Sequence, residues 1–189
     1  MADYTLTATP PLAGYNKTFG NVSLTSPADL ALVSIALPLG AEAKALKAIK
    51  TAYGADLPEP GKTALSKDGN ARLVRLGADQ ALVVFTHATP DANPVVQAKL
   101  KGTAYTTDQT DVWTGLEVSG ATSREALQRI CPIDIHPAAF AEGDCARTAM
   151  EHLGVLIIRT GDDTYLLLSA SSSAKSFLHA VETSAQNIM

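Results

Sequence analysis

The sequence predicts an α+β protein built from two βαβββα units with mainly antiparallel sheets, and three observations carry that reading. The pattern R-x-G-x-D occurs twice just ahead of an apolar run: Arg75, Gly77 and Asp79 precede Leu82-Val83-Val84-Phe85, and Arg159, Gly161 and Asp163 precede Leu166-Leu167-Leu168. Each copy reads as a hairpin whose Gly and Asp give the turn its backbone freedom. Upstream, Gly40 and Gly120 open helical stretches carrying Leu46 with Ile49 and Leu127 with Ile130, while Gly61-Lys62-Thr63 and Gly143-Asp144-Cys145 lead into the two hairpins. Matching features are roughly eighty residues apart, the signature of a duplicated supersecondary block whose copies bury their apolar faces on each other.

Residues 1–29 are rich in Thr, Ser, Pro and Gly and lack apolar periodicity, and Pro10-Pro11 forbids a helix, so they read as an extended N-terminal arm. The first half spans 30–104. Its opening run Leu30 to Leu37 has the length of a buried strand and is closed by Pro38 and Gly40. Ala45, Leu46, Ile49 and Ala52 recur at helical spacing with Glu42, Lys44, Lys47 and Lys50 outward, and Gly54 stops that helix. Strands follow near 62–67, 71–76 and 81–86. Asp91 to Pro94 form a turn and cap before a short helix through Val95, Val96 and Leu100 that ends at Gly102.

The second half spans 105–189 and repeats the order. A strand near 112–118 places Val112, Thr114, Leu116 and Val118 on one face and Trp113, Glu117 and Ser119 on or toward the other. Thr122 or Ser123 caps the next helix, which buries Leu127, Ile130 and Cys131 before Pro132. Strands near 145–150, 154–160 and 164–169 come next. Ser171, Ser172 and Ser173 then cap a final helix whose stripe is Ala174, Phe177, Leu178, Val181 and Ala185.

Composition narrows the function. With 189 residues and 46% hydrophobic content the chain fills one good core or two small ones. A net charge of -4 with scattered lysines and arginines offers no basic stripe for a phosphate backbone, so nucleic acid is not an expected partner. Met1-Ala2-Asp3 has no basic leader region and the run Leu30 to Leu39 is too short to span a bilayer, so a cytoplasmic, membrane-free protein is expected. Two cysteines make no disulfide framework, and both thiols are expected to be free.

The search for chemistry assigns no catalytic, cofactor-binding or metal residue. Gly61-Lys62-Thr63 looks like the end of a phosphate-binding loop, yet Gly54 gives the wrong spacing, Pro58 and Pro60 remove donors, and a strand follows where a helix belongs. Cys131, His136, Cys145 and His152 carry zinc donors, but they fall on separate elements instead of paired knuckles. Cys131 with His136 lacks a nucleophile signature. Asp108, Asp111 and Asp134 are candidate acids whose ordinary role is turn formation or capping. No G-x-G-x-x-G fingerprint follows a strand, so no dinucleotide site is expected.

The segment Asp108-Gln109-Thr110-Asp111-Val112-Trp113, then Leu116-Glu117-Val118-Ser119-Gly120, then the block C-P-x-D-x-H-P-x-x-F-x-x-G-x-C-x-R-T from Cys131 to Thr148, resembles the gamma-subunit family of heterotetrameric sarcosine oxidase. Ile157-Ile158-Arg159, Tyr165 and Leu166 to Leu168 continue in register; the likeness is clear over 105–185 and looser over 28–100. That family is in turn similar to the folate-binding domain of the glycine-cleavage aminomethyltransferases. The resemblance implies a four-subunit enzyme that oxidatively demethylates sarcosine to glycine, passes the one-carbon unit to tetrahydrofolate and yields hydrogen peroxide. It also implies that the alpha and beta chains hold NAD, FAD, FMN and the folate site, that delta holds zinc, and that gamma is a structural companion.

Three functions therefore stand against one another. The first is a non-catalytic subunit docking on the folate-binding domain of its large partner, chiefly alpha, with the arm extending the contact. The apolar composition fits a permanent interface, and a well-filled core accounts for it equally. The second is a stand-alone folate-binding or aminomethyl-transfer protein, which requires a deep pocket between the halves with a carboxylate against the pterin. The third is a small thiol enzyme using Cys131 or Cys145.

Overall fold

The computed structural model describes residues 8–88 and 90–189; the reading of Met1-Ala2-Asp3 lies outside the described residues. In chain order the elements are β1 (Asn16–Phe19), β2 (Val22–Thr25), β3 (Leu30–Ala36), α1 (Glu42–Tyr53), β4 (Thr63–Leu65), β5 (Ala71–Arg75), β6 (Gln80–Thr86), α2 (Ala92–Leu100) and β7 (Tyr105–Asp108). They continue with β8 (Trp113–Ser119), α3 (Ser123–Gln128), β9 (Cys145–Met150), β10 (Leu153–Gly161), β11 (Thr164–Ala170) and α4 (Ala174–Gln186). The βαβββα order occurs twice, as β3-α1-β4-β5-β6-α2 and β8-α3-β9-β10-β11-α4.

Two antiparallel sheets result, ordered β4-β5-β6-β3-β7 and β1-β2-β8-β11-β10-β9. The inner strands β3, β6, β10 and β11 are apolar on both faces because both faces are covered. In β6, Ala81 and Val83 join a core beneath α1 and α2, while Leu82 and Val84 join a second core between the sheets. In β10, Val155 and Ile157 lie with α3 and α4, while Leu156 and Ile158 meet Leu32, Val74 and Leu82 of the other sheet. The period-2 alternation thus sorts side chains between two dry layers instead of between core and water. The molecule is a four-layer stack of helices, sheet, sheet and helices.

The strand leading into each unit is exchanged. β2 runs into β3, yet it pairs with β8 of the other sheet, from Ser23 opposite Ser119 to Thr25 opposite Glu117. β7 runs into β8, yet it pairs with β3, from Val33 opposite Asp108 to Ala36 opposite Tyr105. β7 therefore completes the first sheet, and β2, from the segment ahead of residue 30, extends the second.

Several expectations change. Residues 16–25, expected within an extended arm, form a hairpin on the second sheet, because Val22 and Leu24 are fully buried beside Leu116 and Val118. Two apolar residues at period 2 suffice when their neighbours provide the rest of the face. Gly77 and Gly161 have no positive φ, so turn freedom is not what the repeated motif supplies. The helix starts expected at Asp91, at Thr122 or Ser123 and at Ser171 to Ser173 carry no side-chain cap on their own first turn. Instead the Asp108 carboxylate of β7 accepts the Asn93 N–H at 3.2 Å, and Ser123 and Ser171 donate to the distant carbonyls of Asp163 and Asp111. Val112 sits in the short 3-10 turn Thr110–Val112 and is exposed, off the buried face of β8.

Candidate functional site

The two glycine-led tripeptides meet at the centre of the repeat. The Gly61 N–H donates to Arg75 O and the Gly143 N–H to Arg159 O, at 3.0 and 2.9 Å, while Thr63 N–H reaches Gly143 O and Cys145 N–H reaches Gly61 O. Lys62 and Asp144 are partners in an antiparallel bridge, and Lys62 Nζ lies 2.6 Å from Asp144 Oδ1. Equivalent positions of the two copies thus carry opposite charges and pair across the seam. The N–H groups of Gly61, Lys62 and Thr63 all have backbone acceptors, so none is left to cradle a phosphate. Each motif arginine clamps its own hairpin: Arg75 donates to the carbonyls of Pro58, Gly77 and Ala78, and Arg159 to those of Phe140, Gly161 and Asp162.

The sequence-picked donors are not brought together. Cys131 packs under α3 and α4, whereas Cys145 lies between the sheets, on opposite faces of the second sheet. Burial raises both thiols, Cys145 to about 11 with the Asp144 charge adding to the effect. Asp134 accepts the His136 N–H at 2.8 Å, and His136 Nδ1 faces the Ala138 N–H, a local turn. Asp108 caps α2 and also accepts the Thr110 N–H. Among the described residues, no three His, Cys, Asp or Glu side chains are grouped to hold a metal ion. No helix among them is long and apolar enough to cross a membrane.

Two clefts open against the first sheet. One, of about 250 Å³, opens between the halves where β7 meets the start of β8, lined by Trp113, Arg147, Tyr105, Gln109, Gln80 and Leu82 among others. Trp113 Nε1 is buried there without an acceptor among the described residues. The stand-alone folate reading calls for a carboxylate in a pocket between the halves, and this cleft presents the Arg147 cation and no Asp or Glu among its lining residues. The residues do not fit that group. The other cleft, of about 240 Å³, lies between α2 and the first sheet beside Tyr53, whose hydroxyl burial raises to about 12, and Asp68. The Ser66 hydroxyl, then the Asn70 N–H, hold the Asp68 carboxyl down to about 2. That carboxylate fixes the β4–β5 turn through the Ser66 hydroxyl and the Asn70 N–H.

The surface offers more than the clefts. Leu39 is 99% exposed just beyond β3, and Tyr105, opposite Ala36 on the edge strand β7, is 70% exposed. On the outer helical layer, α1 and α2 lie side by side and enclose a shallow groove of about 420 Å³ with Ala48, Ala52 and Leu100 as floor and Lys44, Lys47 and Lys101 at its rim. Sequence reading placed the α1 lysines outward but had no means of setting Lys101 beside them, since only tertiary packing joins the two helices.

The profile described as the sarcosine oxidase, gamma subunit family matches residues 40–186. A sarcosine oxidase subunit gamma from Corynebacterium sp. (strain P-1) is 29% identical over 133 residues, covering 70% of this chain and 65% of that protein. Another from Arthrobacter sp is 30% identical over 122 residues, covering 64% and 60%. The matched stretch is therefore less than two thirds of the length of either relative. Among solved structures, a chain of the heterotetrameric sarcosine oxidase from Corynebacterium sp. U-96, in complex with pyrrole 2-carboxylate, superposes with TM-score 0.80 at 20% identity, covering 95% of both chains. Glycine cleavage system aminomethyltransferase T from Bartonella henselae superposes with TM-score 0.66 at 14% identity, covering 85% of this chain and 45% of that one. At these identities the likenesses are of fold.

Proposed function

Because the chain belongs to the sarcosine oxidase, gamma subunit family, we propose that it is a non-catalytic subunit of a complex that oxidatively demethylates sarcosine to glycine. In that complex the one-carbon unit passes to tetrahydrofolate and oxygen is reduced to hydrogen peroxide. FAD, FMN, NAD, the folate and zinc belong to the partner alpha, beta and delta subunits, and this chain docks chiefly on alpha, in the cytoplasm. Its contribution is shape and contact area.

The observation that carries this reading is the cleft between the halves. A folate-binding or aminomethyl-transfer protein needs a carboxylate there, and the chain has Arg147 and Trp113 instead. The thiols lend no support to a cysteine enzyme, since burial raises the pKa of each and disfavours the thiolate that nucleophilic attack requires. The exposed Leu39 and Tyr105 suit a chain that meets a partner.

Co-expression with the alpha and beta subunits tests the proposal: the chain co-elutes with them on size exclusion, and elution of the chain alone overturns the reading. Calorimetric titration of the isolated chain with tetrahydrofolate is the second arm. No heat at micromolar ligand is expected, and saturable micromolar binding favours a folate protein instead.

A further inference from the structure

We propose that the lysine-rimmed groove between α1 and α2 is a docking site for an acidic partner-subunit segment that also carries apolar side chains. The inference rests on the subunit reading above and names the face and the chemistry it uses. α1 and α2 bury Ala45, Ile49 and Tyr53, and Ala92, Val96 and Leu100, against the first sheet, so their inward sides are fully used by the fold. The outward sides hold the groove.

Three features point to its occupant. The first is charge without a partner. Lys50 pairs with Asp56 at 2.9 Å and Lys99 lies over the Tyr53 ring at 5.0 Å, whereas Lys44, Lys47 and Lys101 make no ion pair among the described residues. The acidic residue of α1, Glu42, turns its carboxylate to the Gly40 N–H, and α2 carries no acid in its first turn. A cationic rim therefore stands on a chain whose net charge is -4.

The second is an internal control. The equivalent layer of the other copy, α3 and α4, mixes Arg124, Glu125, Lys175 and Glu182, so the repeat does not need a uniformly basic outer layer to fold. The third is Lys101 itself. It ends α2 in the left-handed conformation at φ 51°, a position that favours Gly or Asn, and it leads directly into Gly102.

An acidic protein segment satisfies rim and floor together: its carboxylates meet the three lysines and its apolar side chains cover the half-buried Ala48 and Ala52. A nucleic acid backbone matches the rim alone, offers nothing to an apolar floor, and is repelled at long range by the net negative charge.

The test uses the full chain co-expressed with the alpha, beta and delta subunits. Reversing the rim (Lys44→Glu, Lys47→Glu and Lys101→Glu together) is expected to weaken assembly by about tenfold or more and to flatten its salt dependence. Lys175→Glu on the opposite layer is expected to assemble as the wild type does. A neutral set, Lys44→Gln, Lys47→Gln and Lys101→Gln, gives an intermediate loss, and an unchanged thermal melt of each free chain shows that folding is not the cause. Wild type and reversed chain assembling equally overturns the groove while leaving the subunit reading intact. Failure of the wild type to assemble overturns both. Sedimentation of the free wild-type chain with phosphatidylserine vesicles, lost on reversal, overturns the choice of a protein partner.

Discussion

Arg159 shows how much one side chain holds. It is 5% exposed and donates to three carbonyls on two segments, so replacing it leaves the buried Phe140 carbonyl without its donor and loosens the two half-exposed turn contacts. Arg159→Ala is expected to destabilise by about 3 kcal/mol in denaturant titration, and Arg75→Ala, at a half-buried site, by less. The motif that marks these positions is plain in the sequence, but its reason is not. A repeated R-x-G-x-D invites a turn argument built on Gly, whereas the feature shared by both copies is a guanidinium tying the hairpin to the chain that precedes it. Cys145 gives a second test at this scale: with its pKa near 11 and 4% exposure, it and Cys131 are expected to resist alkylation at pH about 8 until the chain unfolds. Fast modification of the native chain by iodoacetamide, followed by mass spectrometry, would contradict that burial.

Among elements, the N-terminal hairpin is held by one glycine and one carboxylate. Gly120 has φ 112° and a Cβ there would collide with the Asn21 carbonyl, so Gly120→Ala is expected to cost about 2 kcal/mol or more and to open β2 to proteolysis near residue 21. Intact β2 protection in that variant would rule the contact out. On the other side the Tyr15 hydroxyl and Lys17 bond to Glu182 of α4. The Tyr15 hydrogen bond, then Lys17, hold the Glu182 carboxyl below its usual 4.5. A depressed carboxylate stabilises fully above the unfolded pKa and loses that contribution as pH falls through the folded value. The stability gap between wild type and Glu182→Gln is thus expected to be flat at neutral pH and to shrink below about pH 4.5. Melting curves across that range check it. Strands and helices of both copies were legible because their apolar runs are long. The hairpin was not, because Val22 and Leu24 are its only buried apolar positions and the face they complete belongs to β8, far along the chain. The helix starts were misread for a related reason: their donors find acceptors or caps on other elements, such as Asp108.

For the whole molecule, the exchange of β2 and β7 makes the halves interdependent, and the core between the sheets should unfold with both. Leu156→Ala, at a fully buried position of that core, is expected to cost about 2–5 kcal/mol in a single cooperative transition. Two separate transitions would mean that the halves fold alone. The duplication was visible in the sequence from two motifs, but the exchange was not, because nothing in β2 or β7 marks which sheet it joins. The sequence led to no assigned chemical site, and only the structure places Arg147 in the cleft between the halves, because tertiary packing brings β9 beside β7 and β8. The central claim is that this chain supplies contact to an oxidase whose chemistry is held by its companions. Native mass spectrometry of material purified through a tag on this chain, after co-expression with the other subunits, tests it most directly. The predicted result is an assembly containing this chain with the flavin-bearing subunits; the chain at its own mass, carrying flavin or folate itself, would contradict it.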